Sequence, residues 1–244
     1  MELGGKSVLV TGGGSGIGLG IALALAREGC RVAIAGRGEE RLRSGASQFT
    51  GSPPIVYHPC DVAVRSDVAR LFDWLDQQGR LPLDILVTSA GINVARRKMC
   101  ELDPADWDRL LGVNATGVYN CMHAALPGMR QRRDGLIVSI SSIAGKRALA
   151  LAGPGYCASK FAATALGTAV GLEERPNGIR VTNIYPGEAD TPILEQRPVP
   201  VPAEKRARMV HPEDIAACVV TIAKLPPHVL VPELLILPLY QEYA

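Results

Sequence analysis

The stretch Val8-Leu9-Val10-Thr11-Gly12-Gly13-Gly14-Ser15-Gly16-Ile17-Gly18 constrains this chain more than any other. An apolar β-branched run ends abruptly in five glycines, and an amphipathic pattern (Ile21, Leu23, Ala24, Leu25) follows at once. That order predicts strand, tight turn and helix. Glycines let the backbone adopt left-handed angles and let a ligand approach where a Cβ would collide. The turn delivers a helix N-terminus, whose unpaired N–H groups and positive dipole end suit a phosphate.

The pattern then repeats with variations. Cys30–Ala35 predicts a second strand, followed by Gly36-Arg37 and a helix from Glu39 to about Gln48. Ile55–His58 is a third strand leading to Asp61-Val62, and Ser66 is expected to cap a helix carrying Val68, Leu71, Phe72 and Leu75 on one face. The fourth strand, in 84–91, ends at Ala90-Gly91. Asp103-Pro104 starts a helix expected to run through Asn114 to about Met129. Strand Leu136–Ile140 leads into Ser141-Ser142, a helix spans Tyr156–Glu174, and strand Ile179–Tyr185 is broken by Pro186-Gly187. Residues 188–211 read as irregular and proline-rich; Pro212 opens a last helix, and Leu234–Leu237 is a seventh strand. Alternating strands and helices imply a three-layer, Rossmann-like, doubly wound parallel α/β sheet of about seven strands. The absence of a linker or internal repeat predicts one domain over 1–244. In such sheets ligands bind beyond the carboxyl ends of the strands, and every unusual residue named above sits at such an end.

Composition bounds the function. A net charge of +2 argues against a general nucleic-acid binder. The basic clusters Arg96-Arg97-Lys98, Arg130-Gln131-Arg132-Arg133 and Lys205-Arg206 read as solvated surface. No apolar run approaches the ~18 residues of a membrane span, and the first strand begins too early for a leader peptide. The six scattered cysteines, without C-x-x-C pairs, read as reduced core thiols rather than a disulfide framework or metal site. The expectation is a cytoplasmic enzyme-sized domain with no metal.

Tyr156-Cys157-Ala158-Ser159-Lys160 carries chemistry. On a helix, residues i and i+4 share a face, with Cβ atoms roughly 5–6 Å apart. An ammonium about 5 Å from a tyrosinate at an effective dielectric near 20 favours it by roughly 3 kcal/mol, which lowers a phenol by roughly two pKa units. Such a tyrosine can act as a general acid–base.

Together, Thr11-Gly12-x-x-x-Gly16-x-Gly18, Asp61-Val62, Ala90-Gly91, Asn114, Ser142, Tyr156-x-x-x-Lys160 and Pro186-Gly187 with Thr191 resemble the short-chain dehydrogenase/reductase family over essentially the whole chain. The resemblance implies that Tyr156 exchanges the proton of the substrate oxygen, Ser142 orients that oxygen, Lys160 lowers the tyrosine pKa and holds the nicotinamide ribose, and Asn114 supports a water-mediated proton path to Lys160. It implies cofactor contacts at Gly12, Ser15, Gly16, Ile17, Gly18, Arg37, Asp61, Val62, Ala90, Gly91, Tyr156, Lys160, Pro186, Gly187 and Thr191. Ser142 is preferred to Ser141 because Gly145 follows at the family's Ser-x-x-Gly spacing; Cys157 reads as packing. Thr88-Ser89-Ala90-Gly91 departs from the family's Asn-Asn-Ala-Gly, and the Ser142–Tyr156 interval is one residue longer than usual, predicting a bulge in Leu149–Gly155.

The second strand ends in Gly36-Arg37, where NAD-preferring relatives place an acid. Arginine there suits a ribose 2′-phosphate, so NADP(H) is expected over NAD(H). The expected activity is interconversion of an alcohol and a ketone or aldehyde. The alternatives are reduction of 3-oxoacyl thioesters or an idle NADP(H)-binding sensor or scaffold. Residues 188–211 resemble a substrate lid, with Asn93, Ile143, Leu149, Pro154 and Tyr185 near the pocket and Glu188 and Lys205 as charges on the lid. The tail resembles the 3-hydroxy acid and serine dehydrogenase branch. The family suggests a homodimer or homotetramer built on helices 104–129 and 156–174, acting on a small-molecule carbonyl or alcohol without nucleic-acid or membrane partners.

Overall fold

Seven parallel strands form one sheet in the order β3-β2-β1-β4-β5-β6-β7 in the computed structural model, which describes residues 1–242. The strands are β1 (Ser7–Thr11), β2 (Arg31–Gly36), β3 (Val56–Pro59), β4 (Ile85–Thr88), β5 (Gly135–Ile140), β6 (Ile179–Pro186) and β7 (Glu233–Ile236). Side chains alternate across a strand, and both faces here are covered. Val8 and Val10 of β1, and Val87 of β4, enter one core with Ile21 and Leu25 of α1 (Gly16–Arg27) and Ile215 and Val219 of α8 (Pro212–Lys224). Leu9 and Leu86 enter the other, with Leu71 and Leu75 of α3 (Arg65–Gln77) and Cys121, Met122 and Met129 of α5 (Gly117–Arg132). Burial on both sides explains why the central strands read as continuous apolar runs. Leu71 and Leu75 are fully buried, each stabilising the layer by about 1.5–3 kcal/mol.

From β3 the chain returns past β1 to lay down β4 on its far side, so the strand order reverses between β1 and β4. That crevice needs close backbone approaches. Gly12 has φ +69°, and a Cβ there would lie 2.7 Å from the Ala90 backbone; one on Gly18 would lie 2.3 Å from the Gly12 carbonyl. The first glycine turn is thus packed directly on the second.

Several expected boundaries shift. Val64 occupies the N-cap of α3 and Ser66 lies inside the helix, with no side-chain cap; the Asp67 carboxylate instead accepts from the Asp61 N–H at 3.2 Å. The Asp103 cap is observed, its carboxylate accepting from the Ala105 N–H at 2.8 Å. The helix it starts is interrupted: α4 (Pro104–Leu111) passes into a π turn at Gly112–Thr116 before α5. α6 (Pro154–Glu174) starts two residues earlier than expected, which confines the longer connection after Ser142 to 146–153. Residues 188–211 contain a 3₁₀ turn (Pro192–Gln196), the short α7 (Ala203–Arg206) and a parallel bridge between Ala189 and Val210. α2 (Glu39–Ser47) completes the set. Among the described residues, no helix is long and apolar enough to cross a membrane, and no cluster of potential metal ligands occurs.

Candidate active site

β5 delivers Ser141 and Ser142 to the carboxyl edge of the sheet, and their hydroxyls part there. Ser141 turns into the core, its Oγ 3.2 Å from the Lys160 carbonyl and 2.9 Å from Thr164 Oγ1. Ser142 caps the 3₁₀ turn Ile143–Gly145 by accepting from the Ala144 N–H at 3.1 Å. Its hydroxyl also draws the Tyr156 phenol pKa down, which places the two side chains at one site. The geometry therefore separates two serines that adjacency left ambiguous.

Tyr156 and Lys160 project from the first turns of α6. The Lys160 side chain is 5% exposed. Its Nζ donates to the Ile140 carbonyl at 2.9 Å and lies 5.8 Å from the Tyr156 ring centre. Burial pushes its pKa down from 10.5 to about 8. Burial likewise pushes the Tyr156 phenol up, opposed by the Ser142 hydrogen bond and the charge of Arg97. The two-unit lowering expected from Lys160 is thus not what this geometry gives. Desolvation dominates, because the charged form of a buried group loses its water.

Asn114 sits in the π turn and is fully buried. Its Oδ1 accepts from the Ile92 N–H at 2.8 Å, and its Nδ2 donates to the Ile92 carbonyl at 3.0 Å and to Ser159 Oγ at 2.9 Å. The side chain thereby clamps the β4–α4 connection to α6. The space that a Cβ on Gly91 would occupy is 3.4 Å from Lys160 Nζ and 3.6 Å from Asn114 Oδ1, so the second glycine turn borders the same site.

The remaining expected contacts ring the crevice. Ser15 begins α1 without a side-chain cap, and no acid stands in the helix's first turn; its orphan N–H groups and dipole can therefore receive a diphosphate. Gly16, at φ +53°, faces Thr191 and Pro192, while Ile17 packs against the core and Gly18 against the Gly12 carbonyl. Arg37 is exposed and forms no hydrogen bond or ion pair with the described residues. Asp61 Oδ1 accepts from the Ala63 N–H at 3.0 Å, and the Val62 carbonyl is held by Asn120 Nδ2 at 2.8 Å. The Gly187 N–H donates to the Ile236 carbonyl at 2.8 Å, which fixes the Pro186-Gly187 break beside β7. Helix dipole, glycine cradle and a free arginine form a donor set that fits a phosphorylated dinucleotide.

Other expectations change. Tyr185 is fully buried, its phenol 2.9 Å from Glu233 Oε1 with Lys146 4.7 Å above its ring. Glu188 and Lys205 pair with each other at 2.9 Å, and Arg197 Nη2 lies 2.9 Å from Glu188 Oε1. Of the basic clusters, Arg130 pairs with buried Glu174, and Arg132 Nη1 donates to the Pro82 carbonyl at 2.8 Å. Cys157 Sγ accepts from the Leu149 N–H at 3.4 Å, in keeping with packing. Arg97 is the residue the sequence reading missed: it is buried, not solvated, and its charge reaches Tyr156. No signal within its basic run distinguishes it from Arg96 or Lys98.

A doubly wound parallel sheet with a glycine-lined crevice at its strand-order reversal defines a nucleotide-binding α/β protein. The family model for short chain dehydrogenases matches residues 6–199. The chain is 35% identical over 242 residues to a glycine betaine reductase of Emericella nidulans, covering 97% of this chain but 19% of that protein; it thus spans about a fifth of that relative. It resembles an alcohol dehydrogenase from the archaeon Thermococcus sibiricus complexed with 5-hydroxy-NADP (TM-score 0.85, 30% identity, 97% and 98% of the two chains). It also resembles the closed form of a serine dehydrogenase complexed with NADP+ (TM-score 0.88, 29% identity, 97% and 96%). A 3-ketoacyl-(acyl-carrier-protein) reductase from Brucella melitensis, solved with NADH, aligns at TM-score 0.84 and 26% identity over 96% and 97%. The chain belongs to the short-chain dehydrogenase family of oxidoreductases.

Proposed function

We propose that this protein is an NADP(H)-dependent oxidoreductase that interconverts an alcohol with a ketone or aldehyde, with Tyr156 as the general acid–base. The observation that carries this reading is the placement of Tyr156 one helical turn before buried Lys160, whose Nζ lies 5.8 Å from its ring centre, with Ser142 drawing the phenol pKa down. The bound dinucleotide supplies the hydride chemistry. The protein's residues hold and orient. Ser142 donates to the substrate oxygen, Tyr156 passes its proton to that oxygen in reduction and recovers it in oxidation, and Lys160 holds the ribose and electrostatically favours the tyrosinate. Asn114 keeps Ile92 and Ser159 in register beside Lys160. The turn at Gly12, Ser15, Gly16, Ile17 and Gly18 receives the diphosphate. Asp61 and Val62 border the adenine, Ala90 and Gly91 the adjoining ribose, and Pro186, Gly187 and Thr191 the nicotinamide. Residues 188–211 act as a lid over one catalytic domain, and the working form is a homodimer or homotetramer.

A preference for NADP(H) rests on Arg37, an unpaired guanidinium where an acid would select NAD(H). The relatives solved with NADP-type cofactors are consistent with it, whereas the Brucella reductase was solved with NADH. The test is NADPH consumption against ketones, aldehydes, oxo acids and 3-oxoacyl thioesters, with Tyr156→Phe alongside. Turnover that falls at least ~100-fold in the variant is expected. A variant as active as the native protein overturns the assignment of Tyr156.

A further inference from the structure

Arg97 lies in the connection between β4 and α4, at the carboxyl edge of the sheet, and is 6% exposed. Its stem packs on Gly153, where an added Cβ would come within 2.8 Å of Arg97 Cβ and 3.1 Å of Cγ. Gly153 caps α6, the helix that carries Tyr156. The guanidinium donates through Nη1 to the Leu151 carbonyl at 3.2 Å and through Nη2 to the Gln196 carbonyl on the 188–211 segment. Nε is buried with no hydrogen-bond partner. Both acceptors are neutral, and no acid among the described residues pairs with this charge. The neighbouring cation, Arg197, is held by Glu188.

Removing a guanidinium from water without a counter-ion is strongly unfavourable. Tying two carbonyls together does not require a charge. Arg80 and Arg180 are also buried, but they precede β4 and open β6, at the amino edge of the sheet far from the crevice. Arg97 alone of the three sits where its charge acts on the Tyr156 phenol. An arginine fork with an unpartnered Nε, packed on the N-cap of the helix that carries Tyr156, matches the geometry of a carboxylate.

We infer that Arg97 is a substrate-binding residue that holds the carboxylate of an oxo acid or hydroxy acid whose carbonyl or hydroxyl lies at Tyr156. This inference rests on the proposed role of Tyr156 and specifies the substrate class of the same site. The 188–211 segment, through Gln196, and the 149–153 turn, through Leu151, hold the guanidinium from two sides, so the specificity element is assembled from three separate parts of the chain.

The experiment compares kcat/KM for 2-, 3- and 4-oxo acids with that for their methyl esters, using the native protein, Arg97→Met, Arg97→Lys and Tyr156→Phe. Charge-assisted hydrogen bonds predict that the native protein prefers at least one acid over its ester by ~10-fold or more. Arg97→Met is expected to lower turnover of that acid by ~10- to 100-fold, chiefly through KM, while the ester changes by less than ~3-fold. Arg97→Lys, which loses the fork but keeps the charge, is expected to fall between them and carries the test if the methionine variant does not fold. Acid and ester falling together in either folded variant makes Arg97 a structural tie and overturns the inference. A native protein that reduces no acid better than its ester also overturns it. Tyr156→Phe separates the two readings: native-like turnover in that variant sinks the acid–base assignment, whereas a loss common to acid and ester leaves the Arg97 comparison to decide the substrate class.

Discussion

The Lys160 ammonium donates to the Ile140 carbonyl at 2.9 Å from a position 5% exposed to solvent. The carboxyl end of β5 therefore holds the lysine's charge directly. This contact stabilises the ammonium without neutralising it, which is why burial still depresses its pKa to about 8.

That depression has a stability consequence. The unfolded chain keeps this proton up to about pH 10.4, whereas the folded chain releases it near pH 8. The unfolded state binds more protons between those values, so this group makes stability rise with pH across that window. Below pH 8 its burial penalty, on the order of 3 kcal/mol, is fully present. Lys160→Met removes the penalty but leaves the Ile140 carbonyl without its donor, a loss of about 1–1.5 kcal/mol. The expected net is a melting temperature higher by about 3–8 °C at pH 7 without nucleotide, with the gain gone by about pH 10. Turnover falls at least ~100-fold. A variant that melts lower at pH 7 contradicts the buried charge.

Ser142→Ala removes two interactions at once. The Ala144 N–H loses its cap, which costs about 1 kcal/mol of stability. The substrate oxygen loses a donor, and the deletion of one such donor costs about 10²- to 10³-fold in kcat. Ser141→Ala, by contrast, frees only contacts to the Lys160 carbonyl and Thr164. It is expected to lower the melting temperature while keeping kcat within about tenfold. Steady-state kinetics on the two variants checks the assignment; equal losses of kcat would reverse it.

Legibility followed the range of the interactions. The glycine turn and the central strands were readable because their determinants are local: continuous apolar runs for strands buried on both faces, and a turn that needs Gly12 against Ala90. The i,i+4 spacing of Tyr156 and Lys160 put them on one face of α6 but not where Lys160 Nζ points, which depends on Ile140 from another strand. The π turn around Asn114 left no trace, since one wide turn within a helix does not alter its apolar period. Arg97 was unreadable because its burial is produced by Leu151, Gly153 and Gln196, residues more than fifty positions away. The cap assigned to Ser66 failed because Asp67, one residue on, meets the Asp61 N–H.

Gly36 has room for a side chain: an added Cβ would lie 3.6 Å from Leu42 Cδ2, an ordinary contact. Gly36→Asp therefore tests electrostatics without steric disruption. The new carboxylate faces a 2′-phosphate unfavourably and can accept from a 2′-hydroxyl. The NADPH-to-NADH ratio of kcat/KM is expected to fall by about 10- to 150-fold, the worth of one charge-assisted bond. Arg37→Ala should weaken NADPH binding with little effect on NADH. An unchanged ratio in both variants removes the basis for NADP(H) preference.

Glu188 joins the 188–211 segment to Tyr240 and Gln241. Its side chain is 14% exposed; Arg197 and Lys205 lie 2.9 Å from its oxygens, and the Tyr240 phenol donates to Oε2 at 2.7 Å. Burial alone would raise its pKa, but the hydrogen bonds from Lys205, Tyr240 and Arg197 outweigh it and hold the carboxyl below its ordinary value. The folded chain thus binds this proton less readily than the unfolded chain. Its stabilisation is complete above the ordinary carboxylate pKa of about 4.3 and drains away as pH falls through the lower folded value. Glu188→Gln leaves Arg197 and Lys205 facing each other without a counter-charge and is expected to cost about 2–3 kcal/mol at pH 7. The difference from the native protein should shrink in acid, because protonation removes the same charge from native Glu188. Urea unfolding at pH 7 and pH 3 measures both parts. A deficit that stays constant with pH would mean that packing, not the carboxylate, fastens this segment.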